Sequence, residues 1–344
     1  MRENEFQPDP AFHAHFDRFQ RWALIVGGVG LLLAILGAVF DLGQFFRAYL
    51  FAYLFWLGIT LGSLAWLLIF HLTGGAWGVS MRRVLEANML LTILMALLLI
   101  PLFFGLPLLY PWARPEVVVG DALLQHKFPY LNVPFFIVRA IGYFVIWIGV
   151  ALLLRRWSRQ QEAATEPDAR EAVETRLRQF GGPGVVLYGL TMTFAAFDWT
   201  MSLEPHWFSS IYGVMIIAGQ VLTAMAFAIV VLAWLTPRTV LAQFMTDQHF
   251  NDLGNFLLAT TLFWMYIAFS QFLIIWSGNL PEEVVSVYSS AGGRLGVGGP
   301  LPAALPLCSA LCCALICPAQ ATPNDWRPWP AFSWWPTWSI SIGW

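Results

Sequence analysis

The sequence predicts an all-α integral membrane protein, a polytopic helical bundle with about seven transmembrane helices. Hydrophobic residues occupy 58% of the 344 positions and charged residues only 11%, whereas a soluble domain carries about 25% charged residues. The apolar residues also fall in long uninterrupted runs, and roughly 20 of them are enough to cross the hydrocarbon core. The net charge of −2 gives no indication of nucleic-acid binding.

Seven runs have the length and composition of membrane spans. They cover residues 23–40, 48–70, 84–104, 133–154, 183–200, 209–235 and 253–277. The segment that precedes them, residues 1–22, is too rich in charge for a cleaved signal peptide, so the first span is expected to direct insertion. The predicted organisation is an N-terminal segment, helices one to four (23–154), a charged loop (155–182) and helices five to seven (183–280).

The distribution of basic residues predicts a cytoplasmic N-terminus, because cytoplasmic connections are enriched in Arg and Lys. With that orientation twelve basic residues lie inside and three lie outside. The inner ones are Arg2, Arg18, Arg21, Arg82, Arg83, Arg155, Arg156, Arg159, Arg170, Arg176, Arg178 and Arg238, and the outer ones are Arg47, Arg114 and Lys127.

Two connections between the predicted spans are long. The outer one, residues 105–132, is rich in Pro and aromatic residues, which suits an ordered cap or a docking face at the membrane surface. The inner one, residues 155–182, is rich in Arg and Glu and is typical of a solvated helical excursion, which the motif GGPG (181–184) is expected to close. Plain surface connections explain both segments equally well.

The C-terminal tail, residues 286–344, differs in character from the rest of the chain. It holds all four Cys residues in the spacing C-x₃-CC-x₃-C (308–317), which matches none of the usual zinc or iron–sulfur signatures. We therefore predict no metal site. Codons shifted by one or two bases permit sequences that resemble membrane helices, so we hypothesise that the tail is read out of frame.

The segment FDWTMSLEPHWFSSIYG, residues 197–213, concentrates ionisable groups between two apolar runs. Asp198, Glu204 and His206 lie within nine residues, beside Trp199 and Trp207. Ionisable groups at membrane depth are costly and are usually functional or tightly paired, and the two Trp side chains suit the membrane interface. One interpretation is a proton-handling or quinone-headgroup site near the outer surface. The other is a polar group of side chains that caps two helix ends.

Three further ionisable residues fall inside or at the ends of predicted spans. Glu86 and His71 lie near the inner face, where they would form the entry of a proton half-channel, or where they would be interface residues paired with Arg82 or Arg83. Arg139 lies about two turns inside the fourth span and needs a partner. We predict that this partner is Asp198 or Glu204.

Two lone amides, Gln220 and Gln271, lie on apolar spans. A neutral quinone needs only such donors and acceptors, although hydrogen bonds between helices explain them as well. The six His residues fall near span ends or outside the spans, which argues against a membrane haem. The chain carries no phosphate-binding loop, dinucleotide fingerprint or catalytic triad. The sequence therefore predicts that this chain binds no redox cofactor of its own.

Four segments give the chain a resemblance to a known family. SLAWLLIFHLTGGAWG (63–78), LLQHKFPYLNVPFF (123–136), AFDWTMSLEPHWFSSIYG (196–213) and the stretch from TDQHFNDLGN to WSGNLPEE (246–283) resemble the NrfD-like membrane subunits of bacterial alternative complex III. That complex is a quinol:cytochrome c oxidoreductase. The resemblance is strongest to its second quinone-binding subunit and ends near Val285.

The resemblance implies a ten-helix fold with two four-helix bundles, formed by spans two to five and six to nine. It also implies a multi-pass protein of the bacterial inner (plasma) membrane. The expected partners are a second NrfD-like subunit, an iron–sulfur subunit and c-type cytochromes, which would carry the iron–sulfur clusters and haem c. This subunit would supply a proton path, with Asp198, Glu204 and His206 matching the family motif, and contact with quinone or menaquinone is left open.

Three functions are consistent with the sequence. The first is a non-catalytic membrane subunit of a quinol-oxidising complex that conducts protons and docks partners. The second is a stand-alone secondary transporter, although the polar residues cluster at the faces and no convincing internal repeat is evident. The third is a purely structural membrane anchor, in which the polar residues stabilise helix ends.

Overall fold

The computed structural model describes residues 10–236 and 245–278, and every regular element within them is helical. Eleven α-helices occur in this part of the chain. They are α1 (Pro10–Phe40), α2 (Leu42–Thr73), α3 (Ala76–Leu90), α4 (Thr92–Phe104), α5 (Leu106–Leu109), α6 (Pro115–Gly120), α7 (Ala122–Lys127), α8 (Val133–Ala163), α9 (Pro167–Trp199), α10 (Tyr212–Leu235) and α11 (Asp247–Gly278). Short 3₁₀ turns cover Pro111–Ala113 and Met201–Leu203.

The prediction of seven spans is confirmed in number. Within residues 10–236 and 245–278, seven helical stretches are long and apolar enough to cross a membrane, with α3 and α4 together forming the third. The C-terminal tail, including the hypothesised change of reading frame, lies outside the described residues. The chain is thus an all-α polytopic membrane protein.

Helices α2, α3–α4, α8 and α9 form a four-helix bundle, which we call the first bundle. Its core is made of large apolar side chains such as Leu61, Leu64 and Trp147. Helix α10 packs against α2 and α9 outside the first bundle, and α11 packs against α10. The bundle of spans two to five that the family resemblance implies is therefore present.

Close contact between α2 and α10 depends on a missing side chain. A Cβ atom at Gly62 would lie 2.3 Å from the backbone carbonyl oxygen of Gln220 and 2.7 Å from Cβ of Ala224. Only glycine fits there, so the two helix backbones approach more closely than alanine would allow. A second requirement for glycine occurs in the turn between α2 and α3, where Gly74 and Gly75 have φ angles of 70° and 108°.

The charged segment 155–182 is helical and largely exposed, as predicted, but it belongs to two long helices and is not a separate excursion. Helix α8 continues to Ala163 and α9 begins at Pro167, so only three residues connect them. The GGPG motif lies inside α9 and does not end a loop, because Gly181 and Gly184 lie against Leu68 of α2 and the helix continues through Pro183. The expectation that GGPG closes this segment was therefore wrong. The outer connection does form an ordered cap, built from α5 to α7.

Candidate functional site

The predicted partner of Arg139 is Asp198, and the two side chains form a bidentate ion pair between α8 and α9. Arg139 Nε lies 2.9 Å from Asp198 Oδ2, and Nη2 lies 2.8 Å from Oδ1. The carboxylate is 1% exposed and the arginine side chain 10%. Helix α9 ends one residue later, at Trp199, so the pair lies at the end of the first bundle that we call the Asp198 end.

Aromatic residues complete the surroundings of this ion pair. The Tyr143 hydroxyl donates to Asp198 Oδ2 at 2.8 Å, which gives the carboxylate three hydrogen bonds. Arg139 also donates to the Tyr130 carbonyl at 2.8 Å, and its guanidinium lies 3.9 Å from the centre of the Tyr130 ring and 4.4 Å from that of Phe135. A buried charge pair is tolerated only when its remaining hydrogen-bonding groups are satisfied, and this pair meets that condition.

Tyr130 stands outside the spans and remains a proton donor over the physiological range. Burial raises the pKa of its phenol to about 12, and the negative charge of Asp198 acts in the same direction. The ring and its hydroxyl therefore form a neutral cover over the ion pair.

Trp199, which was expected to suit the membrane interface, is buried within the protein. It is 2% exposed and lies among Tyr143, Phe144 and Trp147 of α8, with ring centroids 5.8 to 6.1 Å away. It is buried because α9 ends inside the cap formed by α5 to α7, where the Tyr110 hydroxyl donates to its carbonyl at 2.9 Å. The buried indole N–H of Trp199 has no hydrogen-bond partner among the described residues.

A small cavity adjoins Trp199 at the Asp198 end. It has a volume of about 10 Å³ and is lined by apolar residues together with Tyr53, Tyr110 and Trp199. About one water molecule needs a space of this size, so a quinone ring does not fit there.

The structure separates the other two residues of the 197–213 segment from Asp198. His206 is exposed, and its Nε2 lies 2.7 Å from Oδ2 of Asp121 at the start of α7. Glu204 lies in the exposed turn beyond α9, where partial burial of its carboxyl raises the pKa. The nine-residue cluster is therefore three separate sites, because the chain turns away from the first bundle after Trp199.

Asp121 holds the segment after α9 against the outer cap. Its Oδ1 accepts hydrogen bonds from the backbone amides of Leu123 and Leu124, and thus caps α7. Burial opposes the charged form of Asp121, but the hydrogen bonds from His206 and from these two amides outweigh it and lower the pKa. Nearby, Lys127 donates to the Pro205 carbonyl at 2.6 Å. These contacts agree with the interpretation that polar groups here secure helix ends.

The opposite end of the first bundle carries a partly buried carboxylate, Glu86, whose side chain is 14% exposed, and we call it the Glu86 end. Glu86 accepts hydrogen bonds from Arg82 Nε at 2.8 Å and from the Ser158 hydroxyl at 2.7 Å. Arg82 also donates to Ser158 at 3.0 Å, which joins α3 to α8. Arg83 bridges Glu86 and Glu162. The predicted alternative that Glu86 pairs with Arg82 or Arg83 is confirmed.

His71 lies at the same end of the first bundle. It is half-buried near the end of α2, with its ring centroid 5.3 Å from that of Phe70. Within the described residues no hydrogen bond or ion pair joins it to Glu86, Arg82 or Arg83, so the predicted pairing of His71 is not seen.

Hydrogen bonds between polar side chains also link neighbouring helices at levels between the two ends of the first bundle. The Tyr188 hydroxyl donates to Gln220 Oε1 at 2.8 Å, which links α9 to α10. Trp147 Nε1 donates to the Thr191 hydroxyl at 2.9 Å, which links α8 to α9. Gln220 is therefore engaged between helices, which agrees with the simpler of its two interpretations.

The remaining predicted residues lie toward α11 and the outer turn. Gln271 Oε1 accepts a hydrogen bond from the Ser209 hydroxyl at 2.8 Å, so this amide ties α11 to the segment before α10. Trp207 is partly exposed, its ring lies against Tyr212, and its indole N–H is buried with no partner among the described residues.

Several residues that build these sites were missed by sequence reasoning. They are Tyr143, Ser158, Asp121, Lys127 and Tyr188. Ser158 could have been noticed, because it is a polar residue within a run of apolar and basic residues. Asp121 gave a weaker one, since Asp before a short helix is a typical N-cap.

Neither the comparison with protein-family models nor that with curated proteins finds a match to this chain.

Proposed function

We propose that this chain is a non-catalytic membrane subunit of a quinol:electron-acceptor (cytochrome c) oxidoreductase in the bacterial plasma membrane, with its N-terminus in the cytoplasm. In this proposal the first bundle provides a proton path and a scaffold on which partner subunits dock. Haem c and the iron–sulfur clusters are placed on those partners. The four motif segments that resemble NrfD-like subunits support the complex, and the polar interior of the first bundle supports the path.

The main observation in favour of the proton path is that buried polar side chains lie at several depths between the two ends of the first bundle. On α9, Tyr188 lies ten residues before Asp198, or about 15 Å further into the membrane at 1.5 Å per residue. On α3 and α4, Thr92 lies six residues beyond Glu86, or about 9 Å from the other end. Together these distances cover most of a hydrocarbon core of about 30 Å. Buried polar groups thus occur at successive levels between the two ends.

These levels are farther apart than a hydrogen bond, so the proposed path uses water between the side chains. Ser63, Asn88 and Gln220 are buried, and in this proposal their polar atoms contact that water. The cavity beside Trp199 is large enough for about one water molecule. Because a quinone ring exceeds that cavity, no step of the proposal involves quinone bound at the Asp198 end.

The proposal is tested by proton coupling in proteoliposomes that contain the whole complex. We expect Glu86→Gln and Asp198→Asn to lower the number of protons moved per electron while electron transfer continues. Glu174→Gln removes a charge at an exposed position of α9 and serves as the matched control. An unchanged proton-to-electron ratio in both test variants would refute the path.

A structural role is the second candidate function. Both carboxylates are engaged in ion pairs, Asp198 with Arg139 and Glu86 with Arg82, which is what a purely structural anchor requires. The two functions differ in one result. If the chain is only an anchor, Glu86→Gln and Asp198→Asn should lower its stability. Complexes that still assemble should then keep an unchanged number of protons moved per electron.

A further inference from the structure

Three arginines on one face of α8 occur where its apolar stretch ends. Arg155, Arg156 and Arg159, with Leu152, Gln160 and Ala163, line an open concavity of about 510 Å³. Within residues 10–236 and 245–278, no carboxylate forms an ion pair with any of these three guanidinium groups. The neighbouring Glu162 is engaged elsewhere, since it pairs with Arg83 of α3.

An exposed apolar track on α8 leads to the same concavity. Positions 138, 142, 145, 149 and 152 follow the spacing of one helix face, and Val138, Val145 and Leu152 are exposed there. A Cβ atom at Gly142 or Gly149 would meet nothing within 4 Å, so the two glycines leave shallow depressions along the track. From Gly142 to Leu152 the track covers about 15 Å, which is half of a hydrocarbon core of about 30 Å.

We infer that this face of α8 binds one anionic phospholipid, with its phosphate at Arg155, Arg156 and Arg159 and an acyl chain along the track to Gly142. Charge complementarity selects the headgroup, because a guanidinium pairs strongly with phosphate oxygens. A zwitterionic headgroup brings its own cation toward three arginines and is disfavoured. The length of the track selects a lipid over a soluble anion, because only a lipid occupies both the charged and the apolar part.

The site is tested with the purified full-length protein in phosphatidylcholine membranes. Electron paramagnetic resonance of spin-labelled phosphatidylglycerol and spin-labelled phosphatidylcholine gives the relative association of each lipid with the protein. We expect phosphatidylglycerol to be preferred by about fivefold, since each basic residue near the surface strengthens the attraction to anionic lipid. Absence of any preference in the unmodified protein would overturn the inference.

Matched variants locate the preference on α8. Arg156→Gln with Arg159→Gln should reduce it to nearly onefold, whereas Arg176→Gln with Arg178→Gln removes the same charge from exposed positions of α9 and should leave it unchanged. An equal loss in the two double variants would mean diffuse attraction and would overturn the site. All four arginines are exposed, so both variants are expected to fold.

Two further measurements separate a lipid from a free anion. Gly149→Leu fills the depression on the track and should lower the preference for phosphatidylglycerol by about twofold, because contact with the acyl chain is lost. Inorganic phosphate, added at constant ionic strength, should leave the preference for phosphatidylglycerol unchanged. If phosphate abolished that preference, the site would be one for a soluble anion and the lipid assignment would be wrong.

Discussion

At the scale of single residues, the ion pair between Arg139 and Asp198 is the best-defined feature of the chain. Removing only one partner leaves an uncompensated charge in a buried site, which is far more costly than removing both. The two side chains lie on different helices and are joined by two hydrogen bonds. The pair therefore couples the position of α8 to that of α9.

We expect Arg139→Gln to destabilise the protein by about 3 to 5 kcal/mol, as for other buried pairs broken on one side. Adding Asp198→Asn to this variant should recover part of the loss, because the buried charge is then removed. Thermal unfolding of the purified protein in detergent measures both changes. Arg178→Gln, at an exposed position, should shift the midpoint little. A double variant less stable than Arg139→Gln alone would contradict this account.

Glu204 provides a pH-dependent prediction outside the spans. Burial raises the pKa of its folded-state carboxyl above the ordinary value, which is about 4.3. Because the folded-state pKa of Glu204 is raised, this side chain contributes to stability at pH values below its ordinary pKa. The contribution is lost as the pH rises through the raised folded-state pKa. Glu204→Gln should therefore gain stability relative to the unmodified protein near neutral pH but not below about pH 4. A difference in midpoint that stays constant with pH would contradict the raised pKa.

The residue contacts differ in how far the sequence reveals them. Asp198 was an available partner for Arg139 because a lone charge inside a span must be paired and both residues fall at similar depth. The pairing of His206 with Asp121 was not predictable, since the residues are 85 positions apart and both lie in connections without a periodic pattern. Burial of Trp199 was missed for a similar reason, because it depends on the cap formed by α5 to α7.

At the scale of the helices, glycine determines how closely α2 approaches α10. We expect Gly62→Ala to destabilise the protein by about 1 to 3 kcal/mol, the usual cost of overfilling a tight contact. The clash is with the backbone of Gln220, which cannot rotate away. Gly189→Ala in α9 is the matched control, since a Cβ there meets nothing within 4 Å.

The control variant should be neutral or slightly stabilising, because alanine favours helix by about 1 kcal/mol over glycine. Denaturation in mixed micelles, followed by circular dichroism, compares the two variants. Equal effects of Gly62→Ala and Gly189→Ala would mean that the contact between α2 and α10 is not as close as described.

Helix ends were harder to predict than helix number. Each span needs a long apolar run, so hydropathy alone predicts how many there are. The continuation of α8 to Ala163 and the start of α9 at Pro167 carry no such signal, because charged residues beyond the membrane form helices as readily as loops do. The break between α3 and α4 near Leu91 was hidden within one apolar run.

At the scale of the whole molecule, the described chain consists of one four-helix bundle with three long helices, α1, α10 and α11, beside it. The outward faces of α1 and α11 carry many exposed apolar side chains, including Leu32, Leu33, Phe269 and Trp276. Within a bilayer such faces contact lipid or neighbouring helices. In our proposal some of these helix faces meet the partner subunits of a quinol-oxidising complex.

The central claim is membership of that complex, and a gentle detergent pull-down of the tagged protein from its native membrane tests it most directly. The account predicts that c-type haem, seen by absorbance, co-purifies with an iron–sulfur subunit and a second NrfD-like protein, both identified by mass spectrometry. Arg139→Gln should reduce the yield of this assembly more than Arg178→Gln does. A stable, well-folded protein that purifies without haem and without partner subunits would contradict the account.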